Sequence, residues 1–277
     1  MNDRRGWPDR RDILGMIAAL TTGGATRKSF AETPTDDSAP PLLGARACLL
    51  TPEAVQGPYY FDPKLVRCDI RENKTGVPIL LRLQIVDQTC RPIAGARVDV
   101  WHCDAAGLYS NYAGQGDNRA QPISTIGESF LRGSQLADDA GVATFKSIYP
   151  GWYPGRTPHI HFKAFLNDAN ILTGQLFFPD ALSEFIYRDI RPYSARTAKR
   201  DTMNKNDFIA IGAGPGSFAS VTEEKQRYLV TLVIGVDPAA RSKASADITP
   251  QALGPPTSGA PSLRDPKRVP PIVPGMD

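Results

Sequence analysis

The sequence predicts an all-β fold, a sandwich of mainly antiparallel strands with long loops and little helix. Three observations carry this expectation. Short runs of alternating or continuous apolar residues recur along the chain, 25 prolines and 24 glycines punctuate its 277 residues, and few segments show a helical period. Residues 78–87 alternate, with Ile79, Leu81, Leu83 and Ile85 on one face of a strand. Residues 95–102 place Val98 and Val100 together, and residues 142–148 follow the hairpin-type turn Asp138-Asp139-Ala140-Gly141. Residues 159–165, 174–178 and 228–236 complete the predicted strands, and residues 181–187 read as one short helix.

Organisation beyond this core is also legible. Arg10-Arg11 precedes a short apolar run, Ile13 to Leu20, and then small residues. This pattern reads as a twin-arginine export signal over residues 1–31, cleaved after Ala25 or Ala31. The run is too short for an ordinary transmembrane helix. Residues 32–47 read as a linker and 48–240 as the globular domain. Residues 241–277 form a proline-rich extension without core-forming periodicity, which could run along a neighbouring subunit in a homo-oligomer. Export would place the protein in the periplasm or outside the cell, already folded and loaded with any cofactor. Cys48, Cys68, Cys90 and Cys103 lack metal-site spacing, so an oxidising compartment predicts two disulfides, with three connectivities open. The formal charge of +3 is too small, and too unpatterned, to point to nucleic acid.

The segment from Gly151 to Phe162 holds two of the three histidines. On a strand, His159 and His161 point to one side while Ile160 and Phe162 turn to the other. By itself such a pair is a rim feature or a metal site, and zinc is the default metal for histidine. Tyr153 stands six positions before His159 and could supply a third donor. A phenolate is a hard anionic oxygen that suits ferric iron, and nearby positive charge lowers the phenol's pKa. Singly, Tyr109 reads as a packing residue, Arg156 as an ion-pair residue and His102 as a hydrogen-bonded structural histidine.

Two further segments sharpen this. Val98 to Ser110 reads as a strand ending in an Ala/Gly-rich turn that presents Tyr109. Thr51 to Tyr60 is a turn-rich entry loop. Together with Gly151 to Phe162, they resemble the intradiol ring-cleavage dioxygenases, the family of protocatechuate 3,4-dioxygenase and catechol 1,2-dioxygenase. The resemblance runs from about Thr51 to Asp237. It rests on Trp101 with Tyr109, on Pro150-Gly151-Trp152-Tyr153, and on Arg156, His159 and His161 in an Arg-x-x-His-x-His pattern. It implies non-haem Fe(III) held by Tyr109, Tyr153, His159 and His161. Arg156 would steady negative charge on the bound ring, and Tyr153 would leave the metal to accept a substrate proton. Tyr59 and Tyr60 are candidate pocket residues. The implied reaction takes a small aromatic diol and O2, and breaks the bond between the two hydroxyl-bearing carbons to give a muconate-type diacid.

The sequence departs from the better-known members in two ways. The six-position spacing from Tyr153 to His159 is shorter than theirs, which predicts a more open site that takes larger or varied catechols, such as plant- or lignin-derived ones. The long helical N-terminal segment by which catechol 1,2-dioxygenases dimerise is not evident, and one chain carries all four candidate ligands. Two other readings compete. One is a non-catalytic β-sandwich module that binds polyphenols or carbohydrates. The other is a zinc hydrolase using the histidine pair, with Asp168 as the nearest following carboxylate.

Overall fold

A computed structural model describes residues 49–244, except 63 and 119. The expectations for the export signal, the linker and nearly all of the proline-rich extension lie outside the described residues. Eight strands form two four-stranded sheets. The first contains β1 (Pro78–Asp87), β4 (Val142–Ile148), β7 (Ser220–Glu223) and β8 (Tyr228–Val236) in the order β4-β1-β8-β7. The second contains β2 (Arg97–Trp101), β3 (Arg132–Leu136), β5 (His159–Leu166) and β6 (Ala169–Phe177) in the order β3-β2-β5-β6. All pairings are antiparallel except β1 with β8. The fold class is the one the sequence predicts.

The core lies between the sheets. Ile79, Leu81, Leu83 and Ile85 meet Val98, Val100, Ile160, Phe162 and Leu176 there, all at most 2% exposed. Alternation dictates this arrangement, since every second side chain of a strand faces the partner sheet. Phe162 stands opposite Gly174 in the β5–β6 register, and a Cβ at Gly174 would come within 2.3 Å of the Phe162 ring. The glycine makes room for the aromatic.

Several elements differ from expectation. β1, β4 and β8 match, but β2 is shorter at both ends, and β6 begins five residues earlier than residue 174. The extension of β6 follows from the turn before it, where Asn167 and Asp168 both adopt positive φ, at 48° and 62°. Asn and Asp tolerate that conformation, which closes a tight two-residue hairpin. Asp168 is therefore exposed at the far end of β5. At about 3.3 Å per residue, roughly 20 Å of strand separates it from His161. This removes the carboxylate that the zinc-hydrolase reading required.

β3 and β7 are short and mostly polar, so periodicity does not reveal them. The predicted helix is α1 (Asp180–Asp189); a second, α2 (Phe208–Ala213), was not anticipated. No helix among the described residues is long and apolar enough to cross a membrane. The expectation of two disulfides is corrected as well. Cys90 is disulfide-bonded, but Cys68 is free and exposed and Cys103 is free and buried.

Candidate metal centre

The outer face of the second sheet carries the site. Strand register sets Arg132, Trp101, His161 and Gln175 side by side across β3, β2, β5 and β6. Directly opposed residues share a face, so the same pleat that sends Ile160 and Phe162 inward sends His159 and His161 outward. Outward does not mean exposed, because loops cover this face. His159 and His161 are each 2% exposed and Tyr109 is 1% exposed.

Tyr109 arrives on the loop after β2. Asp104 shapes that loop by accepting from the N–H groups of Ala106 (2.9 Å) and Leu108 (3.0 Å). Gln115 then pairs with both backbone groups of Tyr109 as a neighbouring strand would, accepting at 2.7 Å and donating at 2.8 Å. Tyr153 begins the turn that ends at Arg156. Gly151, two residues earlier, lets the loops that carry Tyr109 and Tyr153 touch. A Cβ there would lie 2.4 Å from the Asp104 carbonyl oxygen, so the backbones approach this closely only at glycine.

Four donor atoms converge. His159 Nε2 lies 3.1 Å from His161 Nε2, 3.1 Å from the Tyr153 hydroxyl and 3.4 Å from the Tyr109 hydroxyl. The Tyr109 hydroxyl is 3.2 Å from His161 Nε2. His159 Nδ1 is 2.6 Å from the Thr157 carbonyl oxygen, which can only accept, so Nδ1 carries the proton and Nε2 presents a lone pair to the cluster. His161 is held by its Trp101 neighbour, stacked at 4.8 Å and 10°. Tyr59 stacks on Tyr109 at 4.4 Å.

The electrostatics suit a cation. Burial, aided by Arg156, holds both imidazoles well below their ordinary pKa, so they stay neutral and free to coordinate. Burial pushes the Tyr109 and Tyr153 phenols up, so neither ionises without added positive charge. A metal ion supplies that charge directly. No group of three or more His, Cys, Asp or Glu side chains able to hold a metal occurs among the described residues. An ion here must therefore use the phenols. Two imidazoles and two hard phenolate oxygens fit ferric iron better than zinc.

The other expected residues separate. Arg156 points Nη1 at the cluster, 3.5 Å from His159 Nε2. Its Nε donates to Asp207 at 2.9 Å and its Nη2 to Gln175 at 2.6 Å. Tyr59 faces the site, whereas Tyr60 gives its hydroxyl to Asp99 at 2.9 Å and packs between Trp101 and the Lys163 ammonium. His102 stands apart, as the structural reading expected. Gln175 and Asp207 were missed. A lone glutamine in the apolar run of β6 and an aspartate just before Phe208-Ile209-Ala210 were the available signals. Beside the cluster Pro154 and Gly155 are exposed and Tyr153 and Arg156 partly so. A cavity of about 410 Å³ between Leu50, Ala213, Phe218 and Leu232 includes none of these donors.

A β-sandwich whose outer face gathers two histidines and two tyrosines thus defines the class of protein. Residues 55–210, more than half of the chain, match the family model described as "Dioxygenase". The chain is 32% identical to an intradiol ring-cleavage dioxygenase from Tetranychus urticae. That match covers 71% of this chain and 98% of that one, with a TM-score of 0.65. It is 26% identical over 212 residues to a catechol 1,2-dioxygenase of Acinetobacter baylyi (68% of this chain, 64% of that protein). It is also 30% identical over 109 residues to one of Candida albicans (38% and 33%). The matched stretch thus spans from about a third to just under two thirds of these curated relatives. The chain belongs to the intradiol ring-cleavage dioxygenase family.

Proposed function

We propose that the protein is a ferric, non-haem dioxygenase. It cleaves catechol-type rings with O2 between the two hydroxyl-bearing carbons and yields a muconate-type diacid. The convergence of four donor atoms, each 3.1–3.4 Å from at least one of the others, carries this reading. Tyr109, Tyr153, His159 and His161 would hold the iron. When bound, ferric iron supplies Lewis acidity and a template for both catechol oxygens.

The chain's own groups divide the remaining work. Tyr109 is buried and stacked, which suits a permanent ligand. Tyr153 sits at the partly exposed rim, which suits a side chain that swings aside and takes a substrate proton on its hydroxyl oxygen. Arg156 keeps Nη1 toward the cluster while its other nitrogens are engaged, so it can face negative charge on the ring without reorganising. Tyr59, beside Tyr109, would flank the ring. The covering loops keep bulk water from the donors.

Substrate would enter past Pro154 and Gly155. With the short Tyr153–His159 spacing, this supports catechols bearing bulky substituents, met after export to the periplasm or the exterior. The binding-module alternative leaves the doubly anchored Arg156 geometry without a purpose. The test is oxygen uptake by iron-loaded protein with catechol and with bulky 4-substituted catechols. The expected result is one O2 consumed per diacid formed, with both ¹⁸O atoms retained in the product. Tight binding without oxygen uptake would favour the module.

A further inference from the structure

Asp207 lies in a segment that the sequence reading left unassigned, and its side chain is fully buried. Oδ2 accepts from Arg156 Nε at 2.9 Å and from the Thr157 N–H at 2.9 Å. Oδ1 accepts from the N–H groups of Ile209 (2.9 Å) and Ala210 (3.2 Å), which caps α2. One carboxylate thus receives four donors, three of them backbone groups that fix its position. Thr157, gripped by its N–H, is the residue whose carbonyl holds His159 Nδ1.

The surrounding segment binds the same turn repeatedly. Asn204 Oδ1 accepts from the Thr157 hydroxyl at 2.8 Å, and Asp201 accepts from the Gly155 N–H at 3.1 Å. The Arg196 guanidinium donates to the Trp152 carbonyl.

An arginine side chain has long flexible reach, and holding its fork in one pose needs more than one anchor. Arg156 has two, Asp207 and Gln175. Only Asp207 is charged and itself immobilised by backbone donors; Gln175 is held by a single bond, to the Val55 carbonyl at 2.8 Å. We propose that Asp207 is the positioning residue of this site. It sets Arg156 so that Nη1 faces the donor cluster, and it ties that setting to the segment ending in α2. The inference rests on the ring-cleavage reading for its effect on rate, but not for its geometry.

Asp207→Asn is the informative variant. Asparagine caps helices about as well as aspartate, so its single oxygen can keep Ile209 and Ala210 while its NH2 turns toward two other donors, Arg156 Nε and Thr157 N. Arg156 then loses its anchor while α2 keeps its cap. With iron-loaded protein and catechol, kcat should fall roughly 10- to 100-fold at nearly unchanged iron content. The loss should not add to that of Arg156→Gln, because Asp207 acts through Arg156. In the iron-free protein, the Arg156 Nε–H resonance should be shifted downfield and exchange slowly, and both properties should vanish in Asp207→Asn. Additive losses, or an unaltered Nε–H resonance in Asp207→Asn, would overturn the proposal. A wild-type protein that cleaves no catechol but still loses the protected Nε–H in Asp207→Asn would sink the ring-cleavage reading and leave the positioning role standing.

Discussion

The three histidines offer a comparison within one molecule. His102 and the pair His159/His161 are equally buried, at 1%, 2% and 2% exposure, and burial lowers the pKa of all three. Their surroundings differ. His102 follows β2 with the parity of Val98 and Val100, and it reaches Ser147 of β4 in the opposite sheet. Its Nε2 lies 2.7 Å from the Ser147 hydroxyl and its Nδ1 lies 2.8 Å from the Cys103 carbonyl oxygen. Both ring nitrogens are satisfied, so this imidazole ties the two sheets together. His159 and His161 sit on the opposite face and aim Nε2 at each other and at two phenols. His161 Nδ1 has no hydrogen-bond partner among the described residues. A buried histidine satisfied at both nitrogens is structural, whereas two Nε2 atoms turned toward each other and toward two phenols make a donor set suited to a cation.

The largest expected effect separates the two regions outright. His161→Ala should lose bound iron, measured by metal analysis, and drop ring cleavage by about 1,000-fold or more, since on the proposed reading a ligand rather than its support is removed. His102→Ala should keep its iron but unfold more easily, by about 1–3 kcal/mol in urea, because the Ser147 hydroxyl is left without its partner. If both variants lose iron alike, the distinction between the two sites fails.

A smaller effect comes from pH. Burial lowers the His102 pKa from 6.5 to about 4. Between those values the unfolded chain binds a proton that the folded one refuses, so stability declines as pH falls through that window and is fully present above it. Urea midpoints at pH 7 and pH 4.5 should differ less in His102→Gln than in the parent. Equal slopes would contradict the assignment. The mildest change in stability is expected for Tyr153→Phe at the rim. It should shift the visible absorption of the iron-loaded protein while leaving its unfolding midpoint within about 1 kcal/mol.

The sandwich was readable where strands were long and one-sided. β1, β4 and β8 announce themselves because each buries an alternating apolar face. β3 and β7 do not, being short strands whose pairing comes from the neighbouring backbone rather than from their own pattern. The site was legible for a different reason. His159 and His161 share a strand, so spacing alone fixes their common side. Tyr109 required the family resemblance, since nothing local reveals where a loop tyrosine ends up. Asp207 stands 51 positions from the arginine it holds, and only the folded chain brings them together. Tyr60 shows the converse, because sitting next to Tyr59 in sequence did not keep its hydroxyl near the cluster.

The central claim is that these four side chains bind ferric iron through phenolate oxygen. The visible spectrum of the purified, iron-loaded protein tests it directly. Tyrosinate bound to ferric iron should give a red-brown charge-transfer band that shifts when a catechol is added without oxygen. A colourless protein that retains zinc in preference to iron would contradict it.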